Sequence, residues 1–183
     1  MFDPTIYDNL KVVFEGALYD LDRAGRILVT GRDDLVNLAT MSRSFVMQVE
    51  RPENATCAAK LELSSTLVDF ASELRRMRLA EEVPGSMLTL TFELPERMIV
   101  NSAALDEHFQ TVWAEVADVV HERLAPFEPN PEKQSREETQ EGIYRITLYF
   151  KGKIDEDNIE DVVPLLEHMI STLETIEDAG NSR

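Results

Sequence analysis

The 183-residue sequence predicts an α+β fold: a mostly antiparallel or mixed sheet, begun by an N-terminal β-meander and continued by strand–helix units, with about three amphipathic helices packed on one face. Three observations carry that expectation. Apolar residues alternate at period two before Ser64, helical stripes follow it, and two strongly alternating segments interrupt those stripes.

Leu10 to Leu21 (LKVVFEGALYDL) places Val12, Phe14, Gly16 and Leu18 two apart and reads as a strand. Asp22-Arg23-Ala24-Gly25 supplies a type I turn, and Arg26 to Thr30 closes a hairpin. After Thr30-Gly31-Arg32-Asp33, the segment Asp34 to Met41 fits both periods, so a short helix capped by Asp34 and a strand both stay open. Ser44 to Glu50 alternates clearly, Arg51-Pro52-Glu53-Asn54 has turn chemistry, and Ala55 to Leu63 can return beside it.

From Ser64 the period becomes helical, with Leu67, Phe70, Ala71, Leu74 and Met77 on one face and Thr66 with Asp69 in capping-box spacing. Pro84-Gly85 ends the connection, and Met87 to Leu94 is a strand burying Leu88, Leu90 and Phe92. A long helix is expected next. Ser102 caps it, and Leu105, Phe109, Val112, Trp113, Val116, Val119, Val120 and Leu124 form its stripe. Ala125 to Gly142 has three prolines and almost no apolar residue after Phe127, so residues 126–142 read as a surface loop or linker. Ile143 to Lys151 is a strand. Asp155 to Asp178 is helical, either starting near Asp161 with Pro164 in its first turn or bending at that proline, and Ala179-Gly180 is its stop. The last two strand–helix units look alike, and both duplication and coincidence account for that. One domain over residues 1–183 is expected, with a subdivision at residue 63 between a β-rich part and a strand–helix part as its alternative.

Charge narrows the function classes. The formal net charge is -17, and residues 101–183 hold 19 acidic against 7 basic side chains. Nucleic acid and anionic membranes are therefore not expected as partners. Met1 to Leu10 lacks a basic segment followed by an apolar one, and Cys57 is the single cysteine, so a reducing cytoplasmic setting is expected. The seven glycines are too scattered for a phosphate cradle, and no serine sits in a nucleophile elbow. Cys57 lies among alanines in a strand, where a packed thiol is favoured over a nucleophile.

Imidazole titrates near neutrality and ligates metals, which makes the three histidines candidates for acid–base or metal chemistry. On the expected long helix, His108, Glu115, Asp118 and His121 are candidate metal ligands, since a histidine with a carboxylate three or four positions away can chelate. The E-x-x-H pattern is missing, however, and with 35 carboxylates a histidine near an acid arises by chance. Ordinary histidines are the favoured reading, with no cofactor. Asp155-Glu156-Asp157-Asn158 fails as a calcium loop because Glu160 and Leu166 occupy the glycine and glutamate positions. Arg75, Arg76 and Arg78 are a candidate anion or partner patch, although cations at a helix end are favoured in any case.

No catalytic residue emerges. The expected class is a non-catalytic protein-interaction or regulatory protein, self-associating as a homo-oligomer and engaging a protein partner, which the acidic second half suits to be basic. The alternative is a small-molecule or metal-dependent enzyme with a dispersed site between sheet and helices. Its mark would be a pocket in which His108, His121 and nearby acids converge.

Overall fold

The computed structural model describes residues 5–53, 55–75, 84–99, 102–125 and 142–181. The alternation expected to form a first strand is instead the inner stripe of a helix, α1 (Ile6–Arg23). Tyr7, Leu10, Phe14 and Leu18 are buried at spacings of three and four, whereas Val12 is 64% exposed. Phe14 and Leu18 belong to both periods, which is why a strand fitted the sequence. The expected hairpin turn is the stop of this helix. Gly25, at φ +71, lets Arg26 N–H donate to the Leu21 carbonyl (3.0 Å) while its own N–H donates to that of Asp22 (2.8 Å), a Schellman close.

A meander follows: β1 (Leu28–Asn37), β2 (Ser42–Glu50) and β3 (Ala58–Ser65). Residues 34–41 thus become the end of a strand and its turn. Asn37 Oδ1 accepts from Ala39 N–H at 3.0 Å, and Met41 takes φ 53 to bring the chain back. Thr30 and Gly31 lie within β1, where the register slips by one residue, so they form a bulge instead of a loop.

The capping box is present as expected. At the start of α2 (Leu67–Arg75), Thr66 N–H donates to Asp69 Oδ2 (2.8 Å) and Asp69 N–H donates to Thr66 Oγ1 (3.3 Å). Asp69 is only 2% exposed and also accepts from Lys153 Nζ at 2.6 Å. Burial alone would raise its carboxyl, but the donors from Lys153 and Thr66 outweigh that and hold it below the ordinary aspartate value. With the folded value depressed, the stabilisation is complete above the unfolded value and is lost as pH falls through the folded one. Asp69→Asn is expected to cost about 2 kcal/mol at neutral pH. The difference should shrink below about pH 4, and urea midpoints at both pH values read it.

Next come β4 (Met87–Pro95), a 3₁₀ turn (Glu96–Met98), α3 (Ser102–Trp113), β5 (Ala117–Leu124) and β6 (Ile143–Phe150). The expected long helix therefore ends at Trp113. Its valines at 112, 116, 119 and 120 mimic a helical stripe, but Ala117–Leu124 pairs residue for residue with Ile143–Phe150. A β-branched run beside an available strand gains a full ladder, and that decides the outcome. Residues 126–141, within the expected loop, lie outside the described residues. The chain closes with a 3₁₀ segment (Glu156–Asp161), whose cap Asp155 accepts from Asp157 N–H at 2.9 Å, and α4 (Val162–Asn181). Pro164 falls in the first turn of α4, where its missing donor costs nothing. α4 runs on through the expected stop at Ala179-Gly180.

The six strands form one antiparallel sheet in the order β1-β2-β3-β4-β6-β5. β3 pairs with β4, so the sheet runs across residue 64. Four α-helices stand among the described residues, one more than expected, because α1 read as a strand. α1, α3 and α4 bury Phe14, Phe109, Trp113, Met169 and Leu173 against Phe45, Met47, Leu61, Leu90, Phe92 and Leu148 of the sheet. Alternate strand residues face the other side.

Candidate functional site

The candidate metal ligands are separated by the end of α3. Glu115 lies in the turn after α3, while Asp118 and His121 lie on β5, three apart and therefore on opposite faces. Asp118 approaches Lys151 Nζ at 4.0 Å. His121 turns inward, its Nδ1 3.1 Å from the Tyr144 hydroxyl and its Nε2 3.2 Å from Asp106 Oδ1, an ion-pair distance without hydrogen-bond alignment. His108 faces a separate cleft of ≈ 260 Å³ with Leu94, Leu105 and Ile176. The Phe109 ring lies 6.0 Å from the His108 ring and 6.1 Å from the His121 ring, edge-on to both. Among the described residues, no group of three His, Cys, Asp or Glu side chains is placed to hold a metal ion. Arg75 ends α2, and Arg76 and Arg78 lie outside the described residues. Cys57 is buried, and burial, followed by the carboxylates of Glu177, Glu93 and Glu50, pushes its thiol upward, away from a reactive thiolate.

What the fold presents instead is the second face of the sheet. Three cross-strand rows run over it: Val46-Glu62-Thr89-Tyr149-Asp118, Gln48-Lys60-Thr91-Thr147-Val120, and Glu50-Ala58-Glu93-Arg145-Glu122. β1 extends the first row with Asp33 and the third with Leu28. Along these strands, residues on the helix side are buried, while most of those on this side are half-buried or exposed. Its charges are Asp33, Glu50, Glu62, Glu93, Asp118 and Glu122 against Lys60 and Arg145. Both cations converge on Glu93, each at 2.8 Å. Burial would raise the Glu93 carboxyl, but hydrogen bonds from Lys60 and Arg145 outweigh it and hold it low. The remaining carboxylates dominate the field. Exposed apolar side chains are interspersed with them, Leu28 and Leu35 on β1, Val120 and Leu124 on β5, and Ile143 and Tyr149 on β6.

No family model matches this chain, and none of the curated proteins matches it significantly. No helix among the described residues is long and apolar enough to cross a membrane.

Two further polar assemblies lie under the helices. Arg43 on β2 is stacked between the rings of Tyr7 (4.4 Å) and Phe70 (4.8 Å) and pairs with Glu73 at 3.8 Å, joining β2, α1 and α2. Burial raises the Glu73 carboxyl against the pull of Arg43, and burial followed by Asp34 pushes the Tyr7 hydroxyl to about 12. Glu177 on α4, 1% exposed, accepts Thr56 N–H (3.0 Å) and Cys57 N–H (3.1 Å) on Oε1 and pairs with Arg51 through Oε2 (3.3 Å). A signal for Glu177 existed. It continues the stripe Leu166, Ile170, Leu173 at helical spacing, where a carboxylate is out of place unless buried donors meet it. The Glu93 cluster has no such local signal, because it depends on the pairing of β3, β4 and β6.

Proposed function

We propose that this chain is a non-catalytic protein-interaction module that engages a basic partner protein through the open face of its sheet. The observation that carries the reading is that face itself: a continuous surface of six strands on which six carboxylates outnumber two cations, with exposed apolar side chains interspersed among them on β1, β5 and β6. Large exposed patches that combine apolar and charged groups mark contact surfaces, and a one-sided field speeds encounter with the opposite charge. A reducing cytoplasmic compartment belongs to the same reading and suits a buried free thiol. The rival reading, an enzyme built on His108, His121, Glu115 and Asp118, draws no support from their placement.

Self-association would use the free edge of β1 or β5, since two copies meeting on this face bring like charges together. Light scattering at low and high salt separates the cases. A dimer lost on mutation of the open face would replace the basic partner with a second copy.

The test is capture of partners on the immobilised chain, compared with Glu62→Lys/Asp118→Lys on the open face and Glu107→Lys/Glu174→Lys on the helices. Basic proteins held by the parent and by the helix variant should bind the open-face variant about tenfold more weakly. They should also dissociate as salt rises. Equal retention by all three proteins would remove the reading.

A further inference from the structure

A groove of ≈ 370 Å³ opens between α3 and the start of α4. We propose that it binds a small amphiphilic cation, an aromatic or alkyl body carrying an amine. Its volume falls in the range of small-ligand sites, about 300 to 1,000 Å³. Phe14, Leu88, Trp113 and Phe150 are the most buried of its lining residues apart from Val162, so the groove reaches the edge of the core. Val112 and Val116, 38% and 47% exposed, stand at its rim. An apolar body seated there removes these surfaces from water.

The polar groups select the charge. Asn158, Asp161 and His168 line the groove, and among the described residues neither a lysine nor an arginine does. Asp161 is exposed, and its bond from Asn158 Nδ2 is long, 3.4 Å. The 3₁₀ segment beside it adds Glu156, Asp157 and Glu160 to the same field. Lys151 and Lys153, which follow and precede the lining residues Phe150 and Ile154, are bonded to the Ala114 carbonyl (2.6 Å) and to Asp69. The Trp113 indole N–H donates to Thr172 Oγ1 (3.2 Å), so it offers a ligand its ring and no donor. A carboxylate or phosphate would meet Asp161 and a field that is negative on balance. An ammonium group meets Asp161 as its counter-charge.

Trp113 is the only tryptophan, so its emission reports occupancy of the groove directly. Three probes with one apolar body, phenylbutylamine, phenylbutanol and phenylbutyrate, are titrated at about pH 8, where the amine is charged. The amine should give a saturable change, the alcohol should bind about threefold more weakly, and the carboxylate more weakly still. Val116→Phe, which fills the rim, should weaken the amine by about tenfold with unchanged circular dichroism. Asp161→Asn should bring amine and alcohol to equal affinity. The proposal is overturned if no probe saturates up to concentrations on the order of 10 mM, if phenylbutyrate binds as well as the amine, or if Val116→Phe leaves binding unchanged. It is equally overturned if the protein is a dimer that Val116→Glu converts to monomer, since a second copy then covers the groove.

Discussion

Phe92→Ala is expected to remove about 4 kcal/mol of stability, the largest effect of any single truncation proposed for this chain. Phe92 is fully buried on β4, which is hydrogen-bonded to β3 on one side and β6 on the other. A strand held on both edges cannot move inward to fill the space its ring leaves, so most of the cavity persists. The ring also stands edge-on to Phe109 at 5.5 Å and 74°, a contact worth roughly 1 kcal/mol beyond area burial. Its loss frees the Phe109 ring, which also packs edge-on to His108 and His121. Urea unfolding should show a lower midpoint at unchanged slope. Thr91→Ala, one residue away on the open face, should change stability by less than about 1 kcal/mol. If the two variants behaved alike, the assignment of covered and open faces would be wrong.

Glu177→Ala should cost about 3 kcal/mol by a different route. No cavity argument is needed. The truncation strands the N–H groups of Thr56 and Cys57 and leaves Arg51 with Asp178 alone among its described ion-pair partners. Glu177→Gln keeps a carbonyl oxygen for the two N–H donors but gives up the charge, so about half the loss is expected. The two variants therefore separate hydrogen-bond loss from charge loss. Cys57 is a local reporter, being buried beside the lost acceptor. Thiol labelling of Glu177→Ala should accelerate by at least about tenfold, since the start of β3 then opens without global unfolding. Unchanged labelling together with unchanged stability would show that the carboxylate does not pin this segment.

These two residues frame how the candidate surface exists. Phe92 holds the covered side of β4 against the helices, and Glu177 ties the beginning of β3 to α4. Between them the opposite face of the same strands stays free of described helices, and its carboxylates keep their spacing because the backbone beneath them is rigid. Rigid strands place such groups more accurately than loops do.

Much of this was legible in the residues. The strands at Ser44–Glu50, Ala55–Leu63, Met87–Leu94 and Ile143–Lys151 appear as β2, β3, β4 and β6 with small shifts at their ends. The Thr66–Asp69 box and the place of Pro164 were readable because each depends on fewer than five neighbouring residues. α1 was misread because Phe14 and Leu18 satisfy two periods at once, and the buried partners that settle the matter, Tyr7 and Leu10, lay at or before the start of the segment read as a strand. β5 was misread because valines three and four apart imitate a helix until a partner strand is present.

The sequence by itself determined that this chain is α+β, that its charge is strongly negative, and where four of its strands run, since composition and local spacing are properties of the chain alone. Only the tertiary structure decided that Leu10–Leu21 is helical, that Ala117–Leu124 is a strand, and that Asp118 and His121 face opposite ways. It also decided which carboxylates share one open face with Lys60 and Arg145. Those outcomes depend on pairing between residues far apart in the chain, and hydrophobic period, which is local, does not encode strand register.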